Sequence, residues 1–269
     1  MSETISSLQN SRIKNILSLQ KASARKDQGI CTVEGYRELR MAISGGFETV
    51  EFYYCPEIAG AETEQWIQHN LNKLGKVFLI SRPVFERIAY RESTEGIYAL
   101  IKPRRFEVSG LQLSPCPLLL VLESVEKPGN LGAVLRTADA AGLDAVIICD
   151  PHTDIYNPNV IRSSIGAVFT LPVVSCSSDE LMSWLEEKHI KSAAAIVDGS
   201  SPYHEADFTQ PTAIILGTES TGLSKLWIEK AGERIRIPML GKMDSLNVST
   251  SAAILVYEAM RQRGFAERK

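Results

Sequence analysis

The fold class this sequence predicts is α/β, with a parallel sheet in the C-terminal part and a smaller α/β unit before it. Three observations carry that reading. From residue 118 onward, runs rich in Val, Ile and Leu alternate with stretches of helical spacing, as in parallel strands covered on both faces. The stretch 103–117, PRRFEVSGLQLSPCP, has three prolines in fifteen residues and breaks the alternation, which predicts a first domain over 1–107, a linker over 108–117 and a second domain over 118–269. The 44% hydrophobic and 23% charged fractions of the 269 residues are ordinary globular values, so a core can form without disulfides or a structural metal.

The elements follow in order. Leu8, Ile13, Ile16, Leu17 and Leu19 give helical spacing over about 8–22. A strand at about 30–34 leads to a helix at about 36–43, closed by Gly45-Gly46. Strands at about 49–54, 77–80 and 97–101 and a helix at about 61–73 complete the first domain. In the second, strands are expected at about 118–122, 145–149, 168–174, 193–197, 212–216 and 234–237, and helices at about 132–141, 179–188, 223–231 and 248–263. Ligands of such sheets sit beyond the carboxyl ends of the strands, which directs attention to loops 123–131, 217–222 and 238–247.

Charge and composition narrow the function. The net charge of −3 divides unevenly: residues 1–110 hold 15 basic and 13 acidic side chains, residues 111–269 hold 14 and 19. Arg12, Lys14, Lys21, Arg25 and Lys26 form a stretch with no acidic residue, followed by a second cluster of Arg82, Arg87, Arg91, Lys102, Arg104 and Arg105. Solvated helix faces would explain these clusters; a phosphate-contacting N-terminal half explains them equally, with Arg12, Lys14, Arg25 and Lys26 as the phosphate contacts. Five scattered cysteines and four histidines suggest neither a disulfide framework nor a metal site. No apolar run is long enough for a membrane span, and the N-terminus has no apolar signal core, so a cytoplasmic location is expected.

The usual nucleotide motifs are absent. No Gly-x-Gly-x-x-Gly follows a strand. The loop 217–224, GTESTGLS, resembles a phosphate loop, but Leu223 stands where lysine is needed and Glu219 would repel phosphate. Three segments together say more: KPGNLGAVLRTADAAG (127–142), LGTESTGLS (216–224) and IPMLGKMDSLNVSTSAAILVYEAMRQR (237–263). They resemble, in order and spacing, the three motifs of the SpoU/TrmH family of RNA ribose 2′-O-methyltransferases in the SPOUT superfamily. NSRIKNIL, VEGYREL and RESTEGIYALI are similar to the ribosomal-protein-like substrate-binding domain of the rRNA-modifying branch. The resemblance implies a C-terminal domain with a deep trefoil knot, an exception to the rule against threaded chains. It also implies a homodimer, S-adenosylmethionine as methyl donor and an N-terminal RNA-binding domain.

The resemblance also implies site residues, each with a plainer alternative. Arg136 matches the catalytic arginine; otherwise it is a solvent-facing helix residue. Because guanidinium holds its proton to a pKa of about 12 or higher, a phosphate clamp and oxyanion stabiliser suits it better than a base. Asn130 matches a residue of the catalytic centre, although a turn or N-cap role would also account for it. Glu219 as a carboxylate could receive the hydroxyl proton or fix Arg136, or be an ordinary loop residue. Ser245 and Asn247 match site positions near the knot; either could simply cap the last helix. Gly217, Ile237 and Leu246 match positions whose main chain holds the cofactor in an apolar slot. No metal is expected. The activity implied is 2′-O-methylation of a ribose in RNA, most readily rRNA because of the extra N-terminal domain. The alternatives are a tRNA 2′-O-methyltransferase and a noncatalytic RNA-binding or ribosome-assembly protein on the same fold.

Overall fold

The computed structural model describes residues 4–90, 95–197, 201–218 and 220–266. The chain forms two compact units, Met1–Arg104 with Asp154–Thr170, and Arg105–Thr153 with Leu171–Lys269. Among the described residues no helix is long and apolar enough to cross a membrane.

The first unit contains β1 (Thr4–Ile5), α1 (Ser11–Ser18), α2 (Ala22–Gln28), β2 (Cys31–Glu34), α3 (Tyr36–Ser44), β3 (Thr49–Tyr54), α4 (Ala61–Asn70), β4 (Lys76–Ile80), α5 (Arg82–Ile88) and β5 (Ile97–Ile101). Its sheet runs β1-β4-β3-β5-β2, with β5 antiparallel to both neighbours and the other pairs parallel. Ile13, Ile16 and Leu19 bury against Val84, Phe85 and Ile88 of α5 and against Tyr53 and Ile80 of the sheet. The helix expected over 8–22 is α1 alone, which ends at Ser18, and a further helix that the sequence reading does not predict, α2, starts at Ala22. Arg25 of α2 donates from Nη1 to the carbonyls of Leu19 (2.7 Å) and Gln20 (2.9 Å), which satisfies orphan acceptors at the end of α1 and fixes the break.

Arg25 also explains why a segment from beyond the proline-rich stretch belongs to this unit. Its guanidinium pairs with Asp154 at 2.6 Å. Phe47 packs edge-on against Phe169 (5.0 Å between centroids) and Tyr156 (6.1 Å), and Tyr156 donates its hydroxyl to the Arg104 carbonyl. A Cβ at Gly45 would lie 2.0 Å from the Phe169 carbonyl oxygen, so the backbones meet only because residue 45 is glycine. A single cut at 108–117 therefore does not describe the packing of residues 154–170.

The second unit contains β6 (Leu118–Glu123), α6 (Pro128–Ala140) and β7 (Ala145–Cys149). After β7 the chain contributes α7 (Pro158–Ser163) to the first unit, where it packs on β2. The second unit resumes with β8 (Val173–Cys176), α8 (Ser178–Glu187), β9 (Lys191–Ala195), β10 (Ser201–Pro202), β11 (Thr212–Leu216), α9 (Lys225–Lys230), β12 (Glu233–Arg236) and α10 (Val248–Gln262). All pairs of its seven-stranded sheet, β10-β12-β9-β11-β6-β7-β8, are parallel. The strand expected over 168–174 starts only at Val173, which pairs with Val146, because Ala167–Phe169 form a 3-10 turn in the first unit.

Strands β6, β7 and β11 are buried along their whole length, as a sheet covered on both faces requires. From β6 the sheet builds one way through β7 and β8 and the other way through β11 and β9, so the order reverses at β6. That reversal is where α/β sheets open a crevice for ligands. Helix α10 lies against α6 and β11, and Arg263 just beyond it donates to the carbonyls of Phe208, Cys116, Pro117 and Gln210.

Candidate active site

A cleft opens at that reversal, at the carboxyl ends of β6 and β11. Leu122, Val125 and Val248 give it an apolar wall; Glu123, Glu126, Lys127 and Asn130 give it polar groups, and Gly217, Thr218 and Ser220 close the other side. The chain leaves β6 through Ser124 in the left-handed region (φ 54°), a conformation that costs an L-residue energy and is held here by its N–H bonding to the Cys149 carbonyl at 2.8 Å.

Asn130 and Asn247 meet at this edge. Asn247 is the N-cap of α10, its Oδ1 accepting from the Ser249 N–H (2.9 Å) and hydroxyl (2.6 Å). Its Nδ2 donates to Asn130 Oδ1 at 3.2 Å, joining the first and last of the three sequence segments. Asn130 itself is no cap: α6 starts earlier than the sequence suggested, with Lys127 as N-cap and Pro128 in the first turn, so Asn130 lies within that turn.

Gly217 lines the cleft directly after β11. Thr218 and Gly222 exchange two backbone hydrogen bonds, and a Cβ at Gly217 would sit 2.2 Å from the Gly222 carbonyl carbon. Only glycine lets this loop close so tightly. Glu219 lies outside the described residues.

The remaining expected residues lie outside the cleft lining. Arg136 is exposed on α6, six residues and so about 120° around the helix from Asn130, with no hydrogen-bond or ion-pair partner among the described residues. Ser245 is exposed and donates to Asp244 Oδ1 at 3.2 Å. Ile237 and Leu246 flank the exposed segment between β12 and α10, Ile237 half-buried and Leu246 36% exposed.

Among the expected RNA contacts, Lys14 and Lys26 are exposed. Arg12 is half-buried, ion-paired with Glu51 and placed 4.3 Å over the Phe78 ring. Arg25 is a correction: its side chain is only 4% exposed and is fully engaged by Asp154 and two carbonyls, so it holds the fold and does not meet phosphate.

Sequence reasoning missed Glu123. It is buried at the end of β6 and accepts from the Ser224 N–H at 2.7 Å, tying β6 to the start of α9. Ser178 Oγ lies 3.1 Å from Glu123 and 2.7 Å from Asp150, and accepts from Trp227 Nε1 at 3.2 Å. Its single proton serves one carboxylate at a time. The signal was present in LLLVLE, where a lone acid ends a wholly apolar strand.

A parallel α/β sheet with a cleft at its reversal point, closed by a glycine loop and two interacting asparagines, defines a small-molecule-binding enzyme domain of the doubly covered kind. Residues 117–257 match the SpoU rRNA Methylase family, and the chain belongs to it. Residues 10–99 match the MRM3-like substrate binding domain. A 23S rRNA (uridine(2479)-2′-O)-methyltransferase of Streptomyces viridochromogenes is 28% identical over 253 residues, 91% of this chain and 87% of its own. A 23S rRNA (guanosine(2553)-2′-O)-methyltransferase of Bacillus subtilis is 28% identical, covering 94% of this chain and 97% of its own. The crystal structure of an AdoMet-bound rRNA methyltransferase from Sinorhizobium meliloti superposes with a TM-score of 0.88 at 26% identity, covering 97% of this chain and 98% of that one.

Proposed function

We propose that the protein transfers a methyl group from S-adenosylmethionine to a ribose 2′-hydroxyl of ribosomal RNA. The observation that carries this reading is the Asn247–Asn130 contact at the rim of a cleft that Gly217 also lines, which brings the three sequence segments to one end of the sheet. The relatives named above support rRNA over tRNA: both are named as 23S rRNA methyltransferases, and the matches span 91% and 94% of this chain, so they reach into the N-terminal part that also matches the substrate binding domain.

The cleft's residues fit the cofactor. Leu122, Val125 and Val248 offer an apolar wall for adenine, the main chain of Gly217 and Thr218 offers groups for its edge, and Glu126 is a carboxylate suited to a hydroxyl or a cationic group, while Glu123 stays tied to Ser224. The cofactor supplies an electrophilic methyl on a positively charged sulfur. The protein's part is to align the hydroxyl, exclude water and stabilise the alkoxide as its proton leaves. Arg136 brings a guanidinium cation that holds the target phosphate and the developing oxyanion. Asn130, oriented by Asn247, positions the nucleotide, and Ser245 donates to the ribose. Glu219 completes the set as a carboxylate that takes the hydroxyl proton or fixes Arg136. Ile237 and Leu246 hold the cofactor through their main chain alongside Gly217.

We further propose that the 118–269 domain carries the trefoil knot of its family and that two chains assemble. The exposed apolar side chains Leu240, Met243 and Tyr257, at 98%, 73% and 45%, support a partner surface. Lys14, Lys26 and Arg12 serve RNA phosphates, and the setting is the cytoplasm, where rRNA is made and assembled.

Arg136→Ala tests the catalytic assignment. The expected result is methyl transfer lowered by at least two orders of magnitude, with S-adenosylmethionine affinity, measured by calorimetry, within twofold of wild type. Normal turnover would remove Arg136 from the mechanism.

A further inference from the structure

A second recess lies wholly within the first unit, and its lining includes none of the residues assigned above to the active site. Ile88 of α5, Tyr98 of β5 and Ile161 of α7, 2%, 5% and 2% exposed, form its apolar floor, and Thr32 and the carboxylate Glu34 of β2 line it beside them. Its volume is about 40 Å³, enough for the edge of a ring but not for an enclosed ligand. At its rim stand two exposed groups of a different kind. Tyr90 is 62% exposed, and the Arg162 guanidinium lies over its ring, 4.8 Å from the centroid. The Tyr90 backbone is anchored to β2, its N–H donating to Glu34 Oε2 at 2.9 Å.

An exposed tyrosine is ordinary; one stacked on an arginine that has no hydrogen-bond or ion-pair partner among the described residues is less so. The guanidinium keeps its in-plane donors, and both groups present flat faces beside a buried apolar floor. That combination takes a planar, polarisable ring joined to an anion. Arg162 is the cation of the lining.

We infer that this recess holds one unstacked nucleobase of the substrate RNA, stacked on the Tyr90–Arg162 pair, with Arg162 also reaching the adjoining phosphate. Unpaired bases stack on aromatic rings and guanidinium planes whatever their identity. The inference rests on the proposed rRNA substrate and adds to it a position at which the first unit reads single-stranded rather than helical RNA.

The test uses the full-length protein and in vitro transcribed 23S rRNA as probe. Tyr90→Ala and Arg162→Ala should each weaken RNA binding roughly tenfold, the contribution of one stacked base. Tyr90→Phe, which keeps the ring, should stay within twofold of wild type. Melting temperature and S-adenosylmethionine affinity should not move in any of the three, because neither side chain is buried. Tyr90→Ala should leave the salt dependence of binding unchanged, since no phosphate contact is lost. In the wild type, 4-thiouridine-substituted RNA should photo-crosslink to the peptide that contains Tyr90. If wild-type protein methylates the RNA while Tyr90→Ala binds it undiminished and the crosslink is absent, this site is wrong and the proposed function stands. If wild-type protein neither binds nor methylates rRNA, the proposed function fails and this site with it.

Discussion

Asn247 performs two separable tasks, and its substitutions should separate them. As the N-cap of α10 it satisfies the Ser249 N–H, a contribution of about 1 kcal/mol. Its donation to Asn130 Oδ1 at 3.2 Å is solvent-exposed and falls at the low end for a hydrogen bond, about 0.5 kcal/mol. Asn247→Ala loses both, about 1.5 kcal/mol, which lowers Tm by roughly 3–6 °C for a unit of this size. Asn247→Ser keeps a capping oxygen but is too short to reach Asn130, so it should lose only about a third of that stability. Catalysis should respond differently, because an untethered Asn130 is misplaced in both variants. Both should lose at least about tenfold in kcat/KM, equivalent to about 1.4 kcal/mol in the transition state. Calorimetric melting and steady-state methyl transfer on the same preparations give the two readouts. Equal melting of the Ser and Ala variants would refute the cap argument, and wild-type turnover in both would refute the role of the asparagine pair.

Other predictions follow from the same geometry. Arg25→Ala removes the buried partner of Asp154 and two carbonyl contacts, and should destabilise the first unit by about 3 kcal/mol in urea titration; a stable variant with merely weaker RNA binding would restore Arg25 to the RNA surface. Gly217→Ala forces a Cβ into the Gly222 carbonyl and should abolish S-adenosylmethionine binding by calorimetry while α10 and the sheet stay folded by circular dichroism. Lys14→Ala and Lys26→Ala should each reduce the salt slope of RNA binding by about one and leave melting unchanged, in contrast to Arg25→Ala. Cys31 and Cys149 are buried, with their thiols pushed above the ordinary range chiefly by burial for Cys31 and by the neighbouring Cys176 thiol for Cys149. Both should therefore resist iodoacetamide at pH 8 until the protein unfolds, which peptide mass spectrometry can follow.

Much of this could be read before any coordinates. The strands over 145–149 and 212–216 coincide with the observed β7 and β11, because each is an uninterrupted apolar run bounded by polar or turn residues. Short helices were not legible: α5 and α7 open with a proline in the first turn, which reads as a breaker unless its fit to N1 is recognised. The break between α1 and α2 carries no Gly or Pro, and depends on a guanidinium that reaches back from Arg25. The same residue shows why charge patterning misleads. Arg25 and Lys26 are neighbours in a basic run, yet one is buried against Asp154, 129 positions away, and the other is exposed. For the site, the residue types in the three segments were legible, whereas the glycine requirement at 217 shows only in the closeness of Gly222. Glu123 went unseen because its partners, Ser178, Ser224 and Trp227, converge only in the folded sheet.

The most direct measurement supplies labelled S-adenosylmethionine to the protein with unmodified 23S rRNA and with tRNA in parallel, and identifies the labelled nucleoside. A 2′-O-methylnucleoside is expected in the rRNA alone, and none with Arg136→Ala. Label on a base would contradict the ribose chemistry, label in tRNA alone would contradict the substrate, and no cofactor binding at all would leave an RNA-binding protein on a methyltransferase fold.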